Sequence, residues 1–108
     1  MTPEIQESCF AFAKNPVVNN TLWEDITTYS YTDKVRIPTI FKTKIADCTI
    51  SIVMGHIYYP DTWIMNCYEL NLKDKPLKDT ITAADAATKA LAICKNKISL
   101  LYNEFNKY

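Results

Sequence analysis

Apolar residues recur along this chain with two different periods, and the change of period marks two kinds of element. From Cys48 to Tyr58 the even positions Cys48, Ile50, Ile52, Met54, His56 and Tyr58 alternate with Thr49, Ser51, Val53 and Gly55, the two-residue period of a strand with one buried face. The even face is the expected core face. From Ala84 onward, Ala87, Leu91, Cys94, Ile98, Leu101 and Phe105 follow at steps of three and four, which is the helical period. Thr82-Ala83-Ala84-Asp85 has the spacing of a capping box and sets the start of that helix. A helix from Ala83 to Phe105 would run about 35 Å at about 1.5 Å per residue, long enough to cross a whole sheet. Ala86, Ala90, Ile93 and Leu100 widen its stripe beyond a narrow coiled-coil seam, which favours packing on a sheet while leaving part of the face for a partner.

Upstream, Thr2 is a capping residue, Pro3 suits a first helical position, and Glu4 and Glu7 complement the helix dipole. Ile5, Cys9 and Phe12 then make one apolar stripe, and Asn15-Pro16 ends this N-terminal helix. Thr21-Leu22-Trp23-Glu24 again has capping-box spacing, which predicts a short helix over Leu22 to Thr28, with a strand as the alternative because Ile26 to Tyr31 is rich in β-branched and aromatic residues. Lys34 to Ile45 reads as a strand, and Pro38 within it argues for the sheet edge. Tyr59-Pro60-Asp61-Thr62 reads as a type I turn leading into Trp63 to Leu72 as the antiparallel partner. Lys73 to Asp79, with Pro76 inside it, reads as a polar connection. The expected architecture is a single α+β domain over 1–108: a three- or four-stranded antiparallel sheet packed against a long C-terminal helix, with an N-terminal helix.

Composition narrows the chemistry by subtraction. With 108 residues the chain suits one domain with a real core. The single glycine, Gly55, leaves no Walker loop or dinucleotide fingerprint, and the single histidine, His56, leaves no site that needs two imidazoles. Twelve basic and twelve acidic side chains give a formal charge of zero, so attraction to nucleic acid or an anionic membrane would have to come from a local patch. No stretch has the length of a membrane span. The opening Met-Thr-Pro-Glu-Ile-Gln-Glu does not read as a signal peptide, and the four cysteines, with no Cys-x-x-Cys pair, are expected reduced in a host cytosol.

Several constellations allow a chemical role beside an ordinary structural one. A cysteine nucleophile, Cys48 or Cys67, with His56 as base is the one covalent mechanism the inventory permits, and a partly buried structural histidine is the simpler reading. Among Asp47, Asp61, Glu69 and Asp74, turn and loop positions account for Asp61 and Asp47, leaving no evident acid–base dyad. Cys48, His56 and Cys67 lack the local spacing of a metal site. No catalytic residue, metal or cofactor is therefore expected. The order helix, strands, helix is also that of double-stranded-RNA-binding domains, but the lysine pair those domains carry at the start of the last helix is replaced by Asp79-Thr80-Ile81-Thr82-Ala83-Ala84-Asp85. Lys34, Arg36, Lys42 and Lys44 form the densest basic cluster and are the candidates for an alternative nucleic-acid surface, against the simpler role of lysines that protect an edge strand.

The remaining surplus is aromatic: seven tyrosines, two tryptophans and four phenylalanines, more than one sheet face and one helix stripe bury. Tyr58, Tyr59 and Trp63 at the hairpin end, with Tyr29 and Tyr31, are the candidate partner-binding residues. The layout Trp63-Ile64-Met65-Asn66-Cys67-Tyr68-Glu69-Leu70, then Pro76-Leu77, then Thr82-x-x-Asp85-Ala86 opening a long helix resembles that of many small phage and prophage proteins. Anti-CRISPR and other anti-defence inhibitors are among these. The resemblance covers about the last 45 residues and carries over no individual functional residue. It implies a cytosolic, non-enzymatic module, monomeric or homodimeric, that blocks a host protein or ribonucleoprotein complex by occupying its surface. An immunity protein that neutralises a toxin is a related expectation.

Overall fold

The computed structural model describes residues 17–18, 20–28 and 37–108. The expected N-terminal helix over Thr2 to Asn15 lies outside them, as do Tyr29, Tyr31, Lys34 and Arg36. Among the described residues, seven strands and one long helix follow in order: β1 (Val17–Val18), β2 (Thr21–Leu22), β3 (Glu24–Asp25), β4 (Ile40–Ile45), β5 (Cys48–Val53), β6 (Ile64–Cys67), β7 (Leu72–Pro76) and α1 (Ala83–Phe105). β1 and β2 make a two-stranded hairpin, and β3 to β7 form a five-stranded antiparallel meander in chain order. The fold is α+β as expected, with more strands than the periodicity alone showed.

Five local readings change. The segment Leu22 to Thr28 is extended and not helical, because Glu24 and Asp25 pair with Lys42 and Phe41. Thr27 completes the join: its hydroxyl accepts from the backbone N–H groups of Thr39 and Ile40, both at 3.0 Å. β4 is accordingly not an edge strand, and Pro38 lies just before it, where it removes no ladder donor. β5 stops at Val53 and not at Tyr58, since Gly55 adopts φ 85° and turns the chain out of the ladder. The Trp63 to Leu72 run is broken after Cys67 by a 3-10 turn over Tyr68–Leu70, with Asn71 left-handed at φ 58°. The chain therefore reverses there, and most of the supposed connection Lys73 to Asp79 is the strand β7. Its lysines and Pro76 suit the edge it occupies.

The two sheet faces follow from the register. Phe41 lies opposite Ile52, and Ile52 opposite Met65, so these three share the face on which α1 packs. All three are completely buried. The helix contributes small residues to the same layer, Ala83, Ala86, Ala87 and Ala90, with Leu91 and Cys94, while Trp23, Trp63 and Leu77 fill the margins. Alanines let the helix axis approach the sheet closely, and the sheet supplies the volume that native packing density requires. On the opposite face, Lys42, Ser51 and Asn66 stand in one row across three strands, and the next row, Ile40, Val53, Ile64 and Pro76, is apolar.

α1 begins as expected. Thr82 accepts from the backbone N–H of Asp85 at 3.1 Å, and the Asp85 carboxylate accepts from the Thr82 N–H at 3.5 Å. The helix is longer than the sheet it packs on, however. Its buried residues end at Cys94, and beyond that point Ile98, Leu101, Tyr102 and Phe105 are exposed.

The β4–β5 hairpin closes with Ile45 opposite Cys48, a two-residue loop in which Ala46 has φ 48° and Asp47 φ 66°. Both central residues at positive φ make the turn that matches strand twist, a geometry that Asn-Gly adopts with least strain. A left-handed alanine costs about 1 to 2 kcal/mol. The double substitution A46N/D47G should therefore raise stability by about 1 kcal/mol and the thermal midpoint by about 4 °C or more, followed by circular dichroism. An unchanged midpoint would show that the alanine is unstrained.

Candidate functional site

Three consecutive exposed large side chains, Ile57, Tyr58 and Tyr59, gather where β5 gives way to β6. Two consecutive turns build this corner: the Tyr59 N–H donates to the His56 carbonyl at 3.0 Å, and the Thr62 N–H donates to the Tyr59 carbonyl at 3.3 Å. The second is the expected turn with Pro60 at its second position. Ile57 is 82%, Tyr58 79% and Tyr59 38% exposed. Trp63 is 5% exposed and belongs to the core, so the corner presents Ile57 with the two tyrosines in its place. Sequence reasoning passed over Ile57 because β5 was expected to run straight through it, and Gly55 was the signal that it does not.

His56 holds the corner together. Its Nδ1 accepts from the Tyr58 backbone N–H at 3.1 Å, which leaves Nε2 to carry the ring hydrogen. Nε2 faces Asp74 Oδ1 at 3.8 Å. The imidazole also lies against both tyrosine rings, with centroids 5.6 Å from Tyr58 and 6.0 Å from Tyr59. Asp74 is aimed at the histidine by a bulge: between the pairs Met65–Lys75 and Cys67–Leu72, two residues of β7 oppose Asn66 alone. Asp74 takes φ 48°, and its N–H donates to the Asn66 side-chain oxygen at 2.8 Å. Bulges of this kind re-direct a side chain from the ladder. The corner thus meets the edge strand through one histidine.

The other candidate constellations are not brought together. Cys48 opens β5, whereas His56 follows its end; five steps of about 3.3 Å put the two ends of the strand roughly 16 Å apart. The hydrogen bond of His56 goes to Tyr58 and its Nε2 faces Asp74, not a thiol. Cys48, Cys67 and Cys94 are free thiols at the other end of the sheet. Burial pushes the Cys94 thiol up to about 12, with Cys67 beside it adding to the shift, and burial likewise raises Cys67. Such thiols are poor nucleophiles at neutral pH. Asp47 and Asp61 lie in turns. Glu69 accepts from the Thr49 N–H at 3.2 Å, and backbone hydrogen bonds, its own N–H first and then that of Thr49, hold its carboxyl below the usual range. Among the described residues no group of three His, Cys, Asp or Glu side chains is arranged to hold a metal ion.

Lys42 and Lys44 both project from the outer face of β4, opposite the buried Phe41 and Thr43. Lys42 Nζ lies 3.9 Å from Glu24 Oε1 on the neighbouring strand, which subtracts charge from that patch. Among the described residues, no helix is long and apolar enough to cross a membrane. No protein-family model, curated protein or solved structure matches this chain.

The thiol environment carries its own pH dependence. An unfolded cysteine ionises near the ordinary value of 9.0, whereas Cys94 does so only near about 12. The stability this difference provides is complete below the unfolded value and is lost as pH rises through the folded one. Urea unfolding midpoints should therefore fall between about pH 9 and about pH 12, and iodoacetamide at neutral pH should label Cys67 and Cys94 only after denaturation. Labelling of the native thiols as fast as a free cysteine would contradict their burial.

Proposed function

We propose that this chain is a non-enzymatic protein-binding module that occupies a partner's surface through the corner Ile57-Tyr58-Tyr59. The observation that carries this is the exposure of three adjacent large side chains on a corner hydrogen-bonded by His56 to its own backbone and set against Asp74 of the edge strand. A protein gains nothing in stability from holding such groups in water, whereas a rigid aromatic anchor binds with little loss of rotamer entropy. Tyrosines of this kind are enriched where a few residues carry most of an interface's energy.

The host setting follows from the layout noted above. A small module without catalytic machinery, acting by steric occupancy, fits an inhibitor encoded by a phage or other mobile element and directed at a host defence complex, as anti-CRISPR proteins are. A toxin-neutralising immunity protein would use the same mode. Nucleic-acid binding, the alternative, would rest on Lys42 and Lys44 among the described residues, with Glu24 beside them.

The test is capture by the tagged protein from lysate of its natural host, with and without nuclease, compared with the exposed double variant I57S/Y58A. Wild-type protein should retain one stoichiometric protein complex after nuclease, and the variant should bind it at least about tenfold more weakly, since each anchor of this class is worth roughly 1 to 2 kcal/mol. Capture that is unchanged in the variant would remove the corner from the interface. Capture abolished by nuclease would favour the lysine face.

A further inference from the structure

The apolar stripe of α1 does not stop where the sheet stops. Leu91 and Cys94 are buried on the sheet, and the same three-and-four spacing continues through Ile98, Leu101 and Phe105, with Tyr108 three residues past the helix end. These outer positions are 51%, 38%, 77% and 102% exposed, and Tyr102 beside them 66%. Where the sheet ends, an apolar hollow of about 120 Å³ opens beside the stripe, lined among others by Ile45, Cys48, Ile50, Leu70, Leu91 and Ile98. A regular seam that leaves its own sheet beside an unfilled apolar hollow is the pattern expected of a helix that receives a second helix.

We propose that the occupant is a second copy of this chain, paired antiparallel through the outer halves of the two α1 helices. The flanks of the seam choose both the partner and the direction. Lys97 and Glu104 lie two helical turns apart on one flank, and Lys95 and Tyr102 lie two turns apart on the other. In an antiparallel pair each flank faces its own counterpart. Lys97 of one copy then meets Glu104 of the other, twice by symmetry, and Lys95 meets the face of Tyr102. A parallel pair sets Lys97 against Tyr102 and leaves Glu104 without a cation across the seam. In the antiparallel register Ile98 packs on Leu101 of the other copy, and Phe105 arrives at Cys94, beside the hollow. Each copy thus fills the other's hollow with a ring that is otherwise in water.

Glu104 pairs with Lys107, just past the helix end of its own chain, at 3.2 Å, an exposed pair that can share the carboxylate with Lys97 of the other copy at little cost. Two aromatic rings and two aliphatic side chains per copy supply roughly 600 Å² on each side, near the lower bound of about 1,200 Å² in total for a specific interface. The dimer is accordingly one of moderate affinity, and it does not depend on what the Ile57 corner binds.

Sedimentation velocity across a concentration series tests this with the full chain. Wild-type protein should approach twice the chain mass of 12.4 kDa by about 100 µM, a concentration well above a micromolar dissociation constant. Leu101→Glu should remain at the chain mass with an unchanged circular dichroism spectrum, since the residue is exposed. K97E and E104K should each weaken the dimer about fivefold, and K97E/E104K should recover it. A monomeric wild type, whether its stripe is bare or covered by residues 1–16, overturns the proposal. So does a dimer indifferent to Leu101→Glu, and failure of the charge swap to recover association overturns the antiparallel arrangement.

Discussion

A mismatch of length governs this molecule. Its longest strands have six residues and so rise about 20 Å, while α1 has 23 residues and rises about 35 Å. One sheet of this size can cover only the first half of such a helix. Everything buried on α1 falls before Lys95, and the remaining turns project past the β4–β5 hairpin with their apolar stripe in water. Longer strands would have buried the stripe, and a shorter helix would have removed it.

Within the covered half, the division of labour between small and large residues follows from the same contact. Four alanines on α1 meet Phe41, Ile52 and Met65 on the sheet. Helix propensity favours alanine, strand packing favours branched and aromatic residues, and the close approach needs one partner to be small. Local preference and tertiary packing therefore agree, which is why α1 was legible from Ala83 to Phe105 and why the even positions of β5 were identified as the core face.

Legibility failed where a single residue overrides a pattern. The alternation through Cys48 to Tyr58 continues past Gly55 on paper, yet a positive φ there takes Ile57 and Tyr58 out of the sheet and makes a surface corner of them. Trp63 has the composition of a recognition residue, and only its position after the turn places it in the core. β7 was hidden by its own edge character: lysines, an aspartate and a proline are what an unpaired edge favours, and they look like a loop to any rule based on composition. The bulge that turns Asp74 toward His56 was hidden twice over, since it depends on a strand not identified and on a register that only the pairing of β6 and β7 reveals.

The topology also keeps the two exposed surfaces apart. The corner follows the C-terminal end of β5, whereas the hollow and the outer half of α1 lie at its N-terminal end, beside Ile45 and Cys48. The end residues of β5 lie about 16 Å apart, so a partner at one surface does not obstruct the other. Pairing of two copies through their helix ends would leave the two Ile57 corners at the far ends of the assembly, facing outward. On the proposed function, two corners on one body would bind a partner that offers two copies of its surface far more tightly than either corner alone, without any new contact, provided the spacing allows both to engage. Moderate affinity at each surface would then suffice for stable occupancy, which is the economical course for a chain of 108 residues whose sheet cannot cover its own helix.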